Sequence, residues 1–243
     1  MIGRFRYEDK VFQGDVKDGI VVAKGDVKDS FELSELEILP PVTPSKIVCI
    51  GLNYRDHAAE LNMEVPDGPI IFIKPASTVI GYGDSIVYPA SSEQVDYEAE
   101  LAIVIGKKCK NVGAENALDV IAGYTCLNDV TARDLQSLDG QWTRSKSFDT
   151  FAPIGPFIAS TDELDPANAR VMCRVNGEVR QDSSTSNLIF DVPYLIEFIS
   201  GIMTLEEGDL IATGTPPGVG ELHRDDVVEV EIENIGILKN EVV

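Results

Sequence analysis

Short apolar segments separated by turn residues run through most of this chain, and they constrain its fold more than any other feature. Each segment has the length of a β-strand, and several are rich in Val and Ile. The run LAIVI at residues 101–105 has the composition of a strand that is buried on both faces. The segments are KIVCIG, IIFIKP, SIVYP, ELAIVIG, AGYTCLND, VMCRVNGEV, DLIATGT and DVVEVEIEN. We therefore predict that strands make up most of the fold.

Helical patterns are few by comparison. Apolar residues at helical spacing predict short helices in RDHAAELN after Tyr54, ENALDVIAG at 115–123, TARDLQSL at 131–138 and PYLIEFISGIM at 193–203. These helices do not alternate regularly with the strands, as they would in a doubly wound sheet. The sequence therefore predicts an α+β fold that is mostly β.

The first part of the chain differs from the rest. Residues 1–38 consist of short alternating pieces, such as GRFRYEDKVFQG and GIVVAKGDV, which predict a small antiparallel unit. The segment LPPVTPS at 39–45 contains three prolines, which interrupt regular structure. We place a boundary there, with a small N-terminal β subdomain at residues 1–45 and the main domain at residues 46–243.

The balance of charge is strongly acidic. The chain has 41 Asp and Glu against 20 Lys and Arg, a net charge of −21. Nucleic acids and anionic membranes are therefore not expected as partners, because both bind basic surfaces. The acids are scattered rather than clustered in a tail, which indicates a solvated acidic surface. Such a surface would suit a cytosol with a high salt concentration, and we keep this as a hypothesis.

Other features bear on the location of the protein. The chain has no apolar window long enough to span a membrane, and its start, MIGRFRYEDK, lacks the apolar core of a secretory signal. The four cysteines, at positions 49, 109, 126 and 173, form no C-x-x-C pair. They are typical of small buried residues in a reducing compartment rather than of a zinc site. We therefore expect a cytoplasmic protein.

Two acidic residues stand at the start of the most apolar segment. In QVDYEAELAIVIG, Glu98 and Glu100 point to the same face of a strand, the face that Ala102 and Val104 occupy further on. Two buried carboxylates side by side repel each other and lose hydration, which is costly without compensation. Three interpretations are open: the strand begins at the surface, Arg or Lys pairs with the acids, or a hard cation lies between them.

A third carboxylate, that of Asp129, ends the segment AGYTCLND. It could simply be the N-cap of the helix predicted in TARDLQSL. Alternatively, Arg133 and Gln136 share a helix face with it, and the three groups would form a site for an anionic ligand held partly by a cation. Three carboxylates without cysteine or clustered histidine favour Mg²⁺, then Mn²⁺ or Ca²⁺.

The segment NYRDHAAEL places His57 three residues before Glu60, so that the two side chains can touch on a helix. The pair could be a surface contact or a general base with its orienting carboxylate. Lys146, in the polar segment QWTRSKSFDTFAPIGP, could lie in a solvated loop or face a developing oxyanion. Thr215, in IATGTPPGVG, could belong to a rigid turn or to a rim that binds a substrate carboxylate.

Taken together, these segments closely resemble those of the fumarylacetoacetate hydrolase family. The resemblance covers nearly all of residues 46–243 in the family's order, and the ordered set is far more specific than any one motif. The segments that carry it are GLNYRDHAAEL, FIKPAS, VDYEAELAIVIG, NDVTARDLQ, WTRSKSFDTFAPIGP, RVNGEVRQDSSTSNLIFDVPYLI and TGTPPGVG.

The resemblance has implications for fold and site. It implies a mostly-β α+β roll or partly open barrel with few short helices, commonly a homodimer, and a short N-terminal unit like that of single-domain members. It implies a divalent metal, usually Mg²⁺, and a His–Glu dyad on a helix that orders over bound substrate. The residues at matching positions are Glu98, Glu100 and Asp129 for the metal, His57 and Glu60 for the dyad, Lys146 as the active-site lysine, and Arg133, Gln136 and Thr215 for substrate.

From this resemblance we expect a metal-dependent hydrolase that cleaves a C–C bond in a 2,4-dioxo acid similar to an acylpyruvate. The same site would also support decarboxylation or isomerisation of 2-oxo or 2-hydroxy-dienoic diacids. Decarboxylation gives the same enolate as hydrolysis, and in isomerisation His57 would move a proton along a dienol. A non-catalytic module that binds a metal and a carboxylate is the alternative from another class. The presence of His57, Glu60 and Lys146 speaks against it, because binding alone needs no general base.

Overall fold

The computed structural model describes residues 1–25, 27 and 29–243, and in these residues the chain is mostly strand with a few short helices, an α+β fold as predicted. The strands are β1 (Ile2–Tyr7), β2 (Lys10–Lys17), β3 (Ile20–Ala23), β4 (Ser30–Glu32), β5 (Glu37–Leu39), β6 (Lys46–Gly51), β7 (Ile70–Pro75), β8 (Val79–Ile80), β9 (Ser85–Ile86), β10 (Val95–Tyr97), β11 (Ala99–Ile105), β12 (Ile121–Asn128), β13 (Thr131–Ala132), β14 (Ala152–Ala159), β15 (Arg170–Val175), β16 (Glu178–Ser184), β17 (Leu210–Ala212), β18 (Gly220–Leu222), β19 (Val227–Ile232) and β20 (Gly236–Val242). The α-helices are α1 (Arg55–Glu60), α2 (Arg133–Asp139), α3 (Thr143–Lys146) and α4 (Val192–Ile202). The 3₁₀ helices are Leu33–Glu35, Ala76–Thr78, Ala114–Val120 and Thr185–Asn187.

The strands of the described residues form a large sheet and two smaller ones, and none of them closes into a barrel. The order in the large sheet is β4-β3-β2-β1-β14-β12-β11-β17-β6-β7, with β5 beside β1 and β8 beside β14. The second sheet has the order β16-β15-β19-β20-β9, and the third has the order β13-β10-β18. A single residue, Glu98, separates β10 from β11. At Glu98 the chain therefore passes from the third sheet into the large one.

Strand β11 is buried on both faces, as its apolar sequence predicts. It is antiparallel to β12 and to β17, and every one of its residues is buried. Leu101 and Ile103 belong to the main core, which lies between the large sheet and strands β15 and β19. Ala102 and Val104 point the other way into a second cluster. Glu100 shares this second face, because alternate residues of a strand point to the same side.

The N-terminal strands extend the large sheet. Strand β1 pairs with β2, and its residue Ile2 pairs with Ile158 of β14. Phe5 and Phe12 pack with Phe157 of β14 in a cluster of their own. The strands of residues 1–38 are antiparallel in the described part of the segment, and a domain boundary after residue 45 stays a prediction.

The helices depart from the sequence-based predictions in two places. The segment 115–123 was predicted as a helix of the α type, but Ala114–Val120 is a 3₁₀ helix, and β12 begins at Ile121. A short segment that buries Ala117 and Val120, three residues apart, suits the three-residue turn of a 3₁₀ helix. Helix α2 begins at Arg133 rather than at 131, because Thr131 and Ala132 pair with β10.

Helix α4 begins close to its predicted start. The Asp191 side chain accepts a hydrogen bond from the backbone N–H of Tyr194 at 3.0 Å, and Pro193 occupies the first turn. An acidic N-cap and an early proline are both favourable at a helix start. Within the described residues, the structure contains no helix long and apolar enough to cross a membrane.

Candidate active site

The three predicted metal ligands lie together. Glu98, Glu100 and Asp129 are buried, and one carboxylate oxygen from each lies within 4.8 Å of the others. The pairing of β11 with β12 explains this, because Ala99 lies opposite Asn128, so the residues on either side meet. The backbone N–H of Asp129 also donates to the carbonyl of Glu98 at 2.9 Å. We refer to these three residues as the carboxylate cluster.

Of the three interpretations of the acidic pair, the solvated one is wrong, because both side chains are buried. The structure contains the cationic partners instead. Nζ of Lys146 donates to Glu98 at 2.8 Å and to Asp129 at 2.7 Å. Lys146 is itself buried, so the solvated-loop interpretation of its segment is also wrong at this position. Glu98 accepts a further contact from Arg133.

These contacts act differently on the two glutamates. Burial would raise the pKa of Glu98, but the charges of Lys146 and Arg133 outweigh it and lower the pKa to about 2. Burial together with the charges of Asp129 and Glu98 raises the pKa of Glu100 well above its usual value. Glu100 accepts a hydrogen bond from the backbone N–H of Gly214 at 2.8 Å, a neutral partner that offsets little of this repulsion.

The donor set of the carboxylate cluster fits a hard divalent cation. It offers only oxygen atoms, they converge within 4.8 Å, and Glu100 is left with an excess of negative charge around it. Mg²⁺ and Ca²⁺ prefer carboxylate oxygens, whereas zinc sites are dominated by nitrogen and sulfur ligands. A divalent ion bound among these oxygens would neutralise the excess negative charge around Glu100. That Mg²⁺ occupies this site stays a prediction.

Lys74 is a member of the site that the sequence analysis did not single out. Its side chain is fully buried, forms an ion pair with Asp129 and donates to the carbonyl of Val130 at 3.0 Å. The available signal was a lysine within the apolar strand IIFIKP, since a buried lysine must be paired. Two residues before Lys74 on β7, the ring of Phe72 lies 5.0 Å from Nζ of Lys146, a cation–π contact.

The residues of α2 reach the site in a different way from that predicted. Asp129 is neither the N-cap of α2, a position that Ala132 occupies, nor part of its helical face. Arg133 instead donates through Nε to Asp96 at 2.8 Å, contacts Glu98, and donates to Oε1 of Gln136 at 2.5 Å. Asp96 was also missed, although it alternates with Glu98 in the same extended segment.

His57 and Glu60 form the predicted pair on α1. Nδ1 of His57 lies 2.8 Å from Oε2 of Glu60, and the histidine side chain is only 12% exposed. The other oxygen of Glu60 accepts from the backbone N–H of Gly218 at 3.1 Å. Asp56 secures the start of the helix by accepting from Ser183 Oγ at 2.6 Å. Helix α1 is therefore held from two sides.

The loop 213–218 connects the dyad to the carboxylate cluster. The N–H of Gly214 binds Glu100, and the N–H of Gly218 binds Glu60. Thr215, between them, donates its hydroxyl proton to the carbonyl of Ala99 at 3.0 Å and accepts from Gln181 at 2.8 Å. A role for Thr215 in binding substrate stays a prediction, and in this conformation its hydroxyl proton is engaged within the protein.

Gln181 is a third buried residue that the sequence analysis missed. Its side chain accepts from the N–H of Ala99 at 3.0 Å and donates to Thr215 and to the carbonyl of Pro216, both at 2.8 Å. It thus joins β16 to the residue between the two glutamates and to the loop 213–218. No local pattern marks it, because its partners lie far away in the chain.

The structure thus combines a buried cluster of carboxylates and lysines with a His–Glu dyad, joined to it through the loop 213–218, on a mostly-β α+β scaffold. Such a set of groups is suited to small anionic molecules. The sequence profile of the fumarylacetoacetate hydrolase C-terminal domain matches residues 46–243. The chain belongs to the fumarylacetoacetate hydrolase family.

The relatives of the chain agree with this assignment. It is 58% identical over 99% of its length to an uncharacterized protein of Archaeoglobus fulgidus, covering 95% of that protein. It is 46% identical, over 86% of its length and 70% of the relative, to the mitochondrial oxaloacetate tautomerase of Rattus norvegicus. Its fold is similar to the crystal structure of 5-carboxymethyl-2-hydroxymuconate delta-isomerase from Mycobacterium smegmatis, with a TM-score of 0.93, 43% identity, and coverage of 100% of this chain and 98% of that one.

Hydrolases are also found among the similar structures, at lower identities. The fumarylacetoacetate hydrolase of Exiguobacterium antarcticum has a TM-score of 0.90 and 37% identity, with coverage of 99% of this chain and 98% of that one. The maleylpyruvate hydrolase of Sphingobium has a TM-score of 0.86 and 30% identity, with coverage of 100% of this chain and 98% of that one. The scaffold is therefore common to relatives that bear the names of different reactions, so that the reaction must be argued from the site.

Proposed function

We propose that this chain is an isomerase that moves a proton within a 2-oxo diacid, by keto–enol tautomerisation or by shift of a double bond. This is the alternative to hydrolysis, and it has the better support. The relatives named for tautomerase or isomerase activity are 46% and 43% identical, whereas two relatives named as hydrolases are 37% and 30% identical. The observation that carries the proposal is the loop 213–218, which binds both the dyad and the carboxylate cluster.

The carboxylate cluster would hold a divalent metal, for which Mg²⁺ is the first candidate. A divalent ion bound there supplies electrostatic stabilisation of negative charge that develops on a substrate oxygen. Glu98, Glu100 and Asp129 would be its protein ligands, and Lys74 would keep Asp129 oriented toward the site.

The base in this reaction is His57. Its imidazole takes a proton from the carbon next to the oxo group, and Glu60, hydrogen-bonded to Nδ1, orients the ring and stabilises its protonated form. In tautomerisation one C–H bond breaks and one O–H bond forms, so no water is consumed. In a double-bond shift the same proton returns to a carbon further along the chain.

Lys146 would stabilise the enolate. An ammonium group has three donors, and Lys146 uses two of them on Glu98 and Asp129, which leaves one for a substrate oxygen. The oxygen of Gln136 accepts from Arg133, and its NH₂ group, which has no partner among the residues that the structure describes, would donate to a substrate carboxylate. Arg133 adds positive charge beside it. These assignments make an anionic, doubly charged substrate the best match.

The experiment that tests this proposal compares the three reaction classes on one preparation. Purified protein with MgCl₂ is given enol-oxaloacetate, and the keto form is followed by ultraviolet absorbance and by NMR against the uncatalysed rate. Pyruvate from decarboxylation and acids from cleavage of an acylpyruvate are measured by mass. We expect tautomerisation to be much the fastest. Faster acylpyruvate cleavage would instead favour a hydrolase.

The variant His57→Ala provides the second half of the test. Loss of a general base reduces the rate by about 10²–10⁴-fold, so tautomerisation should fall by that amount. Decarboxylation of keto-oxaloacetate needs no base and should be less affected. If His57→Ala tautomerises oxaloacetate at the parent rate, the dyad is only a surface pair and the proposal fails. If none of the reactions is catalysed, a binding module becomes the better description.

The setting of the activity remains a prediction. A homodimer and a cytoplasmic location were expected from the sequence, and both require measurement, by light scattering and by fractionation. The hypothesis of a salt-rich cytosol is tested separately below.

A further inference from the structure

Two aromatic side chains lie beside the carboxylate cluster. The ring of Phe72, on β7, lies 5.3 Å from the ring of Trp142, and the two planes are inclined by 76°, an edge-on contact. The Phe72 ring also lies 5.0 Å from Nζ of Lys146, which itself donates to two members of the cluster. Both aromatic residues are half-buried, so each keeps part of its surface accessible. We refer to Phe72 and Trp142 as the aromatic pair.

Strand β7 shows where the aromatic pair lies relative to the surface. Ile70, Phe72 and Lys74 are alternate residues and share one face of the strand. Lys74 is fully buried and pairs with Asp129, whereas Phe72 is half-buried and Ile70 is 44% exposed. This face of β7 therefore leads from the carboxylate cluster to the surface, and Phe72 lies between the two.

A glycine allows Trp142 to lie against the sheet. Gly51, on β6, pairs with Ile70 of β7. A Cβ atom at Gly51 would lie 2.8 Å from the Trp142 ring, which is too close for two non-bonded carbon atoms. The ring therefore packs directly on the backbone of β6, the kind of close approach for which a strand uses glycine. Any side chain at position 51 would displace it.

Trp142 and Lys146 belong to the same helical turn. Trp142 is the N-cap residue of α3, and its carbonyl accepts a hydrogen bond from the backbone N–H of Lys146 at 3.0 Å. One short segment thus carries both an aromatic ring and the ammonium group that contacts the cluster. A molecule bound at that ammonium group would have the aromatic pair as its apolar neighbour on the way to the surface.

We propose that the aromatic pair binds the carbon chain of the substrate and selects chains that are planar and unsaturated. The inference rests on the proposed function for the polar end of the substrate, whose oxygens Lys146 and Gln136 would bind. Small-molecule sites commonly combine a few polar groups of this kind with a hydrophobic wall. Aromatic rings pack on other flat π systems in offset or edge-on geometries that a saturated, branched chain does not match.

The proposal narrows the substrate class of the isomerase. Beyond its 2-oxo acid end, oxaloacetate has only a methylene group and a carboxylate, which offer almost no apolar surface to the aromatic pair. A dienoic diacid has a flat conjugated chain that would cover both rings and exclude water from them. The aromatic pair therefore favours the dienoic diacid over oxaloacetate.

The first test uses the fluorescence of the parent protein, because Trp142 is the only tryptophan of the chain. In the presence of MgCl₂ the protein is titrated with benzoylformate, a 2-oxo acid that carries a phenyl ring and cannot enolise. Oxamate, which presents a similar carbonyl and carboxylate without a carbon chain, is the comparison. N-acetyltryptophanamide under the same conditions corrects for light absorbed by the ligands.

We expect benzoylformate to change the intensity or the maximum of Trp142 emission clearly, and oxamate to change it little. Calorimetry establishes that both ligands are saturating. Unchanged emission with benzoylformate bound, or an equal change with oxamate, would overturn the proposal. Absence of benzoylformate binding at millimolar concentration would also overturn it.

The second test measures selectivity by calorimetry. The saturated comparison is 3,3-dimethyl-2-oxobutanoate, which likewise cannot enolise but is branched and not planar. We expect the parent to bind benzoylformate about 3- to 10-fold more tightly than this ligand, and Trp142→Leu to reduce the preference to about twofold or less. The affinities of Trp142→Leu for oxamate and for Mg²⁺ should match those of the parent. An equal loss of affinity for all three organic ligands would make Trp142 a structural residue only.

Two further variants complete the comparison. Phe72→Leu removes the other ring of the aromatic pair and should reduce the same preference. Phe31→Leu is the matched control, because Phe31 is a half-buried ring that packs on Phe12 in the N-terminal cluster. It should leave the preference unchanged, and a loss equal to that in Trp142→Leu would contradict the proposal. The fluorescence test needs no variant and so does not depend on the folding of any of them.

The outcome is separable from that of the proposed function, because none of these ligands undergoes the proposed reaction. If no isomerisation is found but the preference for benzoylformate depends on Trp142, the proposed function fails and the aromatic pair remains a binding surface. If isomerisation is found and the preference is absent, only the present proposal fails.

Discussion

The backbone N–H of Gly218 donates a hydrogen bond to Oε1 of Glu60 at 3.1 Å, while the other oxygen of that carboxylate contacts His57 at 2.8 Å. One carboxylate therefore orients the imidazole and fastens α1 to the loop 213–218. Because Gly214 in the same loop binds Glu100, the position of the base depends on the loop that also contacts the carboxylate cluster.

The first prediction concerns this carboxylate. Glu60→Gln keeps an oxygen for Gly218 but removes the charge that stabilises protonated His57. We expect the isomerisation rate to fall about tenfold to a hundredfold, less than for loss of the base itself, with little change in melting temperature. Steady-state kinetics would measure this, with Glu64→Gln, an exposed acid on the same segment, as the control. A parent rate in Glu60→Gln would remove the dyad from the mechanism.

A second prediction is that two neighbouring glutamates have opposite effects on stability in metal-free buffer. Because the pKa of Glu98 is lowered from 4.5 to about 2, its charge stabilises the fold above pH 4.5, and this contribution is lost as the pH falls toward 2. The pKa of Glu100 is raised, so its contribution is present below pH 4.5 and is lost as the pH rises.

At neutral pH with chelator, Glu98→Gln should therefore be destabilised, by about 3 kcal/mol if it resembles other broken buried ion pairs. Glu100→Gln should melt above the parent. The difference in stability between each variant and the parent should become smaller in acid, because the carboxyl groups of the parent take up protons. Calorimetric melting over a pH series would measure this, and a change of the same sign in the two variants would contradict the assigned ion pairs.

The third prediction concerns the metal itself. Parent protein should bind about one Mg²⁺ per chain through three carboxylates, and addition of Mg²⁺ should raise the melting temperature, because a ligand of the folded state stabilises it. Glu100→Ala should lose this shift and at least 100-fold of the activity. Titration calorimetry with MgCl₂ is the direct measurement. Equal Mg²⁺ affinity in Glu100→Ala and parent would place the metal elsewhere.

Lys74 is the subject of the fourth prediction. Its replacement by methionine leaves Asp129 without one of its two buried cationic partners, which typically costs about 3–5 kcal/mol of folding free energy. We expect Lys74→Met to show this loss in urea unfolding. Lys108→Met is the matched control, because that lysine is 69% exposed in its ion pair with Glu206 and should change stability by about 1 kcal/mol or less.

The fifth prediction tests the acidic surface. At a net charge of −21, the folded chain repels itself, and salt screens this repulsion. The melting temperature should rise as KCl increases from low to molar concentration. A flat or falling curve would remove the hypothesis of a salt-rich cytosol and would leave the family assignment unaffected.

The high strand content and the two glutamates on one face of a strand could be predicted from the sequence, because both depend on local patterns. The run LAIVI marks a buried strand, and Glu98 with Glu100 marks a costly concentration of charge whatever the tertiary structure. The same patterns do not show whether solvent, a lysine or a metal compensates the negative charge of these two glutamates. That choice depends on which strands become neighbours, and Lys74 reaches Asp129 from a strand 55 residues earlier.

The errors in the predicted helices arise in the opposite way, because there the local pattern is present but the tertiary structure does not follow it. Periodicity in 115–123 is real, but Gly113 and the start of β12 at Ile121 leave room only for a tight 3₁₀ segment. For Asp129 the spacing to Arg133 is helical, yet the pairing of Thr131 with Asp96 holds the intervening residues extended. In both places a neighbouring strand overrides the local preference, as tertiary context commonly does.

The pairing of β11 has a consequence for how the protein is made. This strand has β12 on one side, which follows it closely, but β17 on the other, from residues 210–212. The N–H that binds Glu100 comes from Gly214, immediately beyond. During synthesis, the carboxylates would therefore stay open to water until almost the whole chain has left the ribosome. Because loop closure over such a separation is slow, the site should be among the last parts of the molecule to form, and a chain that stops short of residue 214 should fail to enclose it.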